Sequence, residues 1–277
     1  MKNYLTTDFD LNSEQLIEVF DELPLWAAPF GLKLLEKVVL RKGITALDIG
    51  FGAGFPLTEL AMRLGSTCKV YGIDPWAAAI KRARKKIAFY GINNIQIIKG
   101  HAENIRLPSE SVDLIVSNNG INNVRDLGEV ILECSRVLKK GGQMVLTMNL
   151  NNSLTEFYEI MGKLFHELNM DEAIEKMNQQ ICSKRKPLYK CIDQLENHGF
   201  GVKSMDREQF DYKFVDGTTM LNHYFIRMAF LDGWKSIVLP EKLEFIFDEI
   251  ERRMNDKAAI DGFFRLSVPY VVIDCRK

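Results

Sequence analysis

No stretch of the 277 residues approaches the eighteen or so consecutive apolar residues that a helix needs to span a bilayer. Net charge is almost absent too. The 36 lysines and arginines stand against 37 aspartates and glutamates, a formal charge of −1, so only a local basic patch could attract nucleic acid. The start, MKNYLTTDFDLN, carries two acids in its first ten residues and no apolar h-region, which argues against a secretory signal. The five cysteines (Cys68, Cys134, Cys182, Cys191, Cys275) are odd in number and widely spread, with no C-x-x-C and no metal-finger spacing. They point to a reducing, cytoplasmic compartment and to no metal site. Internal repeats, low-complexity tracts and Pro/Ser linkers are missing as well. What remains is 47% apolar and 26% charged, an ordinary folding chain able to bury a core without staples. Length alone allows one or two domains. The missing linker favours one domain over 1–277, with N-terminal helices (1–42), a regular core (43–150) and helical insertions with closing strands (151–277).

Apolar periodicity supports that division. After the candidate caps Asn12 and Ser13, Leu16, Ile17, Phe20 and Leu23 repeat at helical spacing. A second stripe, Leu32, Leu35, Val38 and Val39, predicts a helix ending at Lys42-Gly43. Strand and helix then alternate: strands at 44–49, 69–73, 95–98, 112–116 and 143–148, with helix faces at Leu57–Leu64, Ile80–Tyr90 and Val130–Leu138, the last stopping at Gly141-Gly142. Five such strands predict a doubly wound α/β sheet, mostly parallel and covered on both faces. Residues 151–183 read as helix, as does Leu188–Leu195 up to His198-Gly199. Two short strands follow, near Val202–Met205 and Gln209–Val215, then aromatic-rich helix over 218–258 and a closing strand over Leu266–Asp274. Pro269 within that last strand predicts an edge or a bulge.

The informative segment is Ala46-Leu-Asp-Ile-Gly-Phe-Gly-Ala-Gly-Phe-Pro56, between a buried strand and a helix. Gly50, Gly52 and Gly54 allow a sharp turn and close approach to a ligand. A dinucleotide loop would read G-x-G-x-x-G, but here the spacing is G-x-G-x-G and Phe55 replaces the third glycine of that pattern. Asp48, two positions ahead of Gly50, suits a cationic ligand better than a diphosphate. Twenty residues past Gly54, Asp74 ends the second strand, where a carboxylate can accept both hydroxyls of a ribose. It can equally cap a helix beginning at Pro75. A third loop, Gly100-His-Ala-Glu103, closes the third strand and could meet an adenine. Three loops at the carboxyl ends of adjacent strands converge on one crevice.

These residues resemble the class I S-adenosylmethionine-dependent methyltransferases. LDIGFGAG (47–54) is similar to the first motif of that family, Asp74 to its ribose acid and GHAENIRLP (100–108) to its adenine loop. VDLIVSNNGINNV (112–124) and LKKGGQMVL (138–146) are similar to its fourth-strand motif and to its turn into the fifth strand. The resemblance covers about residues 40–150 and is greatest to the branch of ubiquinone and menaquinone C-methyltransferases and arsenite methyltransferases. It implies a Rossmann-like seven-stranded sheet with an antiparallel edge hairpin and S-adenosylmethionine as cofactor. The cofactor site it implies comprises Asp48, Gly50, Gly52, Gly54, Asp74, Pro75, His101, Ala102, Glu103 and Asn118. The glycines would meet the methionine part, Ala102 and Glu103 would flank the adenine, and Asn118 would sit near the sulfonium. His101 departs from the acid common in that branch. Asn119 stands where arsenite enzymes carry a thiol, and Cys182 with Cys191 cannot supply their converging sulfurs, which disfavours arsenite.

An activated methyl group needs chiefly alignment and exclusion of water. A hydroxyl or acidic C–H acceptor would also need a base, for which His223 in Leu-Asn-His-Tyr-Phe is the candidate, set against ordinary packing among aromatics. Trp26, Asn119, Asn122 and Tyr224 are the candidate acceptor contacts, from the segment Leu25-Trp26, the Asn-rich loop and the insertions 151–183 and 218–238. The expected function is methyl transfer to a small molecule. The alternatives are an RNA or protein methyltransferase, an aminopropyl transferase and a non-catalytic cofactor-binding module. The dense basic run Lys81-Arg-Ala-Arg-Lys-Lys86 reads as the solvated face of a surface helix, and the Asn loop lacks the paired acids a polyamine would need.

Overall fold

The computed structural model describes residues 2–6, 9, 10, 12–20 and 26–277, so Leu23 and Leu25 lie outside the described residues. The chain forms two compact units, a smaller one of Met1–Asp10, Leu150–Arg185 and Gln209–Pro269 and a larger one of Leu11–Asn149, Lys186–Glu208 and Tyr270–Lys277. A short helix, α1 (Asn3–Thr6), belongs to the smaller unit.

In the larger unit, α2 (Glu14–Phe20) and α3 (Ala27–Lys37) precede the alternating core. That core runs β1 (Thr45–Ile49), α4 (Leu57–Leu64), β2 (Lys69–Asp74), α5 (Ala77–Phe89), β3 (Ile95–Lys99), β4 (Val112–Asn118), α6 (Leu127–Val137) and β5 (Leu138–Asn149). β1 through β5 pair in parallel, and Tyr270–Arg276 of β7 (Phe264–Arg276) runs antiparallel to β5. With β6 (Gly201–Phe214) the seven-stranded order is β3-β2-β1-β4-β5-β7-β6. This is the doubly wound α/β sheet that the alternation predicts, in the Rossmann-like seven-stranded form that the family resemblance implies. The centre of the sheet explains its uninterrupted apolar runs: Ala46, Leu47 and Ile49 of β1 and Leu114, Ile115 and Val116 of β4 are all buried. Helix α4 presents Leu57, Leu60, Ala61 and Leu64 to the core. The Asn94 side-chain amide closes its end, donating to the carbonyls of Ala61 and Gly65 at 3.0 and 2.9 Å.

Four boundaries differ from the sequence expectation. α3 stops at Lys37 rather than Lys42 because Gln143 holds its end, donating to the Lys37 carbonyl at 2.8 Å and accepting from Val39 N–H at 2.9 Å. α6 stops at Val137. The glycine pair lies inside β5, where Gly141 (φ 74°) turns the chain between the Leu138↔Val112 pair and the ladder that starts at Gln143↔Arg276. The two short strands of the second half are one strand, β6. Its charged middle does not break it, because Asp206 pairs with Lys37 and Glu208 with Lys33 on α3. Pro269 marks no edge, since β7 lies between β5 and β6. The missing N–H is tolerated because the β5 ladder ends one residue away, at Asn149↔Tyr270. The larger unit also holds α9 (Leu188–Asn197).

The smaller unit is mostly helical. It contains α7 (Thr155–Glu167), α8 (Asp171–Lys184), α10 (Gly217–Asn222), α11 (Tyr224–Ile226), a π-turn over Arg227–Leu231, α12 (Asp232–Lys235) and α13 (Leu243–Asp261). Residues 218–258 are therefore broken helix rather than one rod. The break before α13 falls at Leu239-Pro240, where a 3-10 turn over Pro240–Lys242 leads into the helix. Phe157, Phe165, Trp234, Ile246, Phe247, Ile250 and Met254 fill the core of this unit.

Candidate cofactor site

The strand order reverses at β1, whose neighbours are β2 on one side and β4 on the other. Ligands of open α/β sheets bind outside the carboxyl ends of strands at such a switch point. Gly50 follows β1 and Gly120 follows β4, and the two backbones touch: a Cβ on Gly50 would lie 2.7 Å from Gly120 Cα, and one on Gly120 2.2 Å from the Ile49 carbonyl oxygen. Gly52 differs. Its φ is +53° and a Cβ there would meet nothing within 4 Å, so this position turns the backbone beside open space. The helix above packs tightly on the loop, since a Cβ on Gly31 would strike the Phe55 ring at 2.2 Å.

The Asp74 carboxylate is tied on both oxygens, accepting from Gly52 N–H at 2.8 Å and from Trp76 N–H at 2.8 Å. α5 begins at Ala77 with Trp76 in the cap position, so Asp74 does not cap a helix starting at Pro75. It closes a turn and pins the glycine loop, with one lone pair per oxygen left over. Burial pushes its pKa up, against the opposing pull of these two backbone N–H groups and of His101. Asp48 is buried, and neither of its carboxylate oxygens has a hydrogen-bond partner. Burial, with the charge of nearby Asp74, pushes its pKa well above the ordinary carboxylate range.

The third loop is braced from α6. The Glu133 carboxylate accepts from Ile105 N–H at 2.7 Å, while Arg136 donates to the carbonyls of Ile105 and Leu107 at 2.6 and 2.8 Å. Glu103 accepts from Arg125 and Asp126 N–H at 2.9 and 3.3 Å, joining this loop to the one after β4. Ala102 is buried, His101 and Pro75 exposed. Neither Glu133 nor Arg136 carries a motif signal; only their i, i+3 spacing on a helix could have suggested the pair.

Asn118 is spent on architecture, donating to the Ala27 carbonyl at 3.0 Å and accepting from the Thr147 hydroxyl at 3.0 Å. Asn119 is left-handed (φ 59°), its Oδ1 accepts from Asn122 at 3.1 Å, and its Nδ2 is buried without a partner. Trp26 lies against Phe30, ring centres 5.7 Å apart. Thus Trp26, Asp48, the three glycines, Asp74, Pro75, His101, Ala102, Glu103, Asn118, Asn119 and Asn122 all belong to the larger unit. His223 and Tyr224 belong to the smaller one. There the His223 ring meets Phe214 edge-on at 5.4 Å, its Nδ1 is buried without a hydrogen-bond partner, and desolvation lowers its pKa. Tyr224 stands edge-on to Phe9 at 5.1 Å.

Residues 40–220 match the family described as "Methyltransferase domain". The chain belongs to this family. It carries the class I, S-adenosylmethionine-dependent form of the fold, with the glycine loop, the strand-end acid and the loop after β3 at the carboxyl edge of the sheet. It is 30% identical over 164 residues to the "Probable cobalt-precorrin-6B C(15)-methyltransferase (decarboxylating)" of Saccharolobus solfataricus, a match covering 58% of this chain and 81% of that protein. It is 32% identical over 109 residues to the demethylmenaquinone methyltransferase of Geobacillus stearothermophilus, where 39% of this chain spans about half (47%) of the relative. Among solved structures, a SAM-dependent methyltransferase from Aquifex aeolicus shares the fold at TM-score 0.54 and 22% identity, over 72% of this chain and 92% of that one. So does geranyl diphosphate C-methyltransferase from Streptomyces coelicolor A3(2), at TM-score 0.55 and 16% identity, over 100% and 88%. The methyltransferase is therefore an enzyme that draws its methyl group from S-adenosylmethionine.

Proposed function

We propose that the acceptor of this methyltransferase is a small molecule, and that the cofactor is held by the residues around the switch point. The cofactor fits the groups present. The orphaned carboxylate of Asp48 suits its positive charge, the open face of Gly52 leaves room for close approach, and the spare lone pairs of Asp74 suit ribose hydroxyls. Ala102 and Glu103 border the adenine and Asn119 Nδ2 offers an unmet donor to the acceptor side, while Asn118 acts by positioning. When bound, S-adenosylmethionine supplies a methyl group already activated as an electrophile. The chain's own residues hold, orient and exclude water, worth on the order of 7–11 kcal/mol for well-aligned reactants. In-line displacement breaks the S–CH₃ bond as the acceptor–CH₃ bond forms.

The observation that carries the small-molecule reading is the fate of the basic run on α5. Lys81 pairs with Glu14 and Lys85 with Glu18 of α2, so the two lysines of this helix that meet α2 are matched by acids rather than held open for a phosphate backbone. Cobalt-precorrin and demethylmenaquinone, named for the relatives, are small-molecule acceptors and support the same reading. Purified enzyme given methyl-labelled cofactor with a metabolite extract should place label in the low-mass fraction. Label in RNA or protein supplied in parallel would overturn the assignment. Asp74→Ala should abolish cofactor binding and all labelling together.

For an acceptor with a dissociable proton we assign the base to His223, supported by its unbonded Nδ1 and by a pKa lowered by desolvation, which keep the imidazole neutral at neutral pH. His223→Gln should lower kcat by about 10²–10⁴-fold and leave cofactor affinity unchanged. An unchanged kcat returns His223 to packing.

A further inference from the structure

Away from the glycine loops, the least compensated group among the described residues is Arg185, which follows α8 in the smaller unit. It is 4% exposed, yet no carboxylate among the described residues pairs with it. Its one hydrogen bond runs from Nη1 to the Tyr158 hydroxyl at 3.3 Å, its Nε is buried without a partner, and the guanidinium carbon lies 5.3 Å from the Tyr158 ring centre. The phenol oxygen has nothing more to offer. It donates to Gln180 Oε1 at 2.9 Å and accepts from Trp234 Nε1 at 3.1 Å. Of the roughly five N–H donors of a guanidinium, one is therefore met, and by a neutral atom. A buried cation without a counter-charge is costly, and natural interiors pair such groups.

The surroundings say what would pair it. Trp234, fully buried, stacks on Phe157 (3.8 Å between centres, 20°) and on Phe230 (5.8 Å, 18°), so a packed aromatic cluster lies behind the phenol and Trp234 emission can report on it. A surface depression of about 630 Å³, bordered by Lys176, Lys184 and Gly233, reaches Gln180, the residue that holds the phenol. Gly233 leaves the Gln180 amide its place, since a Cβ there would come within 2.9 Å of Gln180 Nε2. We propose that Arg185, held in place by Tyr158 and flanked by Gln180, binds the carboxylate of a small organic acid. The free edge of a guanidinium presents paired N–H groups that match a planar carboxylate. The planar fork matches the two coplanar oxygens of a carboxylate, and the single buried guanidinium, set apart from the lysines at the rim, needs one negative charge.

Benzoate is the probe, titrated into the full chain without cofactor, so the outcome is independent of the methyl-transfer reading. Benzoate should raise Tm and change tryptophan emission saturably in the wild type. Arg185→Met should weaken binding at least tenfold and, without benzoate, melt no lower than wild type, because it removes an unmet charge. Arg185→Lys, which keeps the charge and loses the fork, should also bind more weakly than wild type. Inorganic phosphate at equal ionic strength should do no more than chloride. A wild type blind to benzoate, an Arg185→Met or Arg185→Lys that binds it as wild type does, or a phosphate response equal to that of benzoate would each overturn the site. So would an Arg185→Met protein that melts several degrees lower with no benzoate effect in either protein, which would make the guanidinium a structural partner of Tyr158.

Discussion

Asp48 and Asp74 are the two acids of the proposed cofactor site, and their environments differ. Asp74 spends one lone pair per oxygen on Gly52 and Trp76 and so shapes the loop that it also serves. Asp48 has no such partners. The unfolded chain gives up this proton near 3.8, the native chain only at higher pH. Between those values the native state holds the extra proton, so stability falls as pH rises through that window. Asp48→Asn removes the penalty and should raise Tm at neutral pH, by about 2–4 °C for each kcal/mol regained. The same charge is what a cationic ligand requires. S-adenosylmethionine should drive the proton off Asp48, weaken in affinity as pH falls, and release a proton on binding. Calorimetric titrations in two buffers of different ionisation heat will reveal it, with Asp48→Asn as the silent control. Equal heats for the wild type in both buffers would sink the assignment.

At the scale of elements, the bracing by α6 of the loop after β3, where we propose the adenine lies, is the feature with the clearest consequence. Glu133→Ala leaves the Ile105 N–H without its acceptor and Arg136 without its carboxylate. A loss of about 1–3 kcal/mol follows from one orphaned polar group, expressed mainly as a higher KM for S-adenosylmethionine with kcat retained. An unchanged KM would show that the loop holds without α6. This brace also marks where sequence reading ends. Gly50, Gly52, Gly54 and Asp74 were legible because a strand, a turn and a helix are local and their spacing is fixed by backbone geometry. The five parallel strands were legible for the same reason. The antiparallel edge hairpin was legible only through family resemblance, and the entry of β7 between β5 and β6 was not legible at all, since pairing across more than a hundred residues leaves no local periodicity. The end of α3 was misplaced because a side chain more than a hundred residues away, Gln143, decides it. The role of Asn118 as a tie between Ala27 and Thr147 was hidden likewise, for its motif position shows only that it is near the site.

Across the whole molecule the chain passes between its two compact units repeatedly, and neither is a continuous piece of sequence. The smaller unit is closed by its first residues. Glu251 of α13, 8% exposed, accepts from Lys2 at 2.6 Å, Tyr4 at 2.5 Å and Thr218 at 2.7 Å, while Asn255 holds Thr218 from a second side. Burial pushes the pKa of Glu251 up, but these three donors outweigh it and hold the group below its ordinary 4.5. Its contribution is therefore complete above that ordinary value and is lost as pH falls through the lower native value. Replacing Lys2 by Met together with Tyr4 by Phe leaves a buried carboxylate with one donor, and removing the partner of a buried charge costs about 3–5 kcal/mol. Lys2 is partly solvated, with its side chain 37% exposed, which places the expected loss toward the low end. Trp234 lies in the smaller unit and Trp26 and Trp76 in the larger, so in backgrounds that keep either Trp234 alone or only Trp26 and Trp76, the others being Phe, tryptophan emission follows the two separately. In the double variant the Trp234 transition should move to lower denaturant at neutral pH, and its acid limb should flatten as pH is lowered through the carboxylate range. The Trp26 and Trp76 signal and the cofactor affinity should stay where they were. If both units lost stability equally, the premise of separate cores would fail. If the acid limb kept its wild-type slope, Glu251 would not be the group that those first residues hold in its charged form.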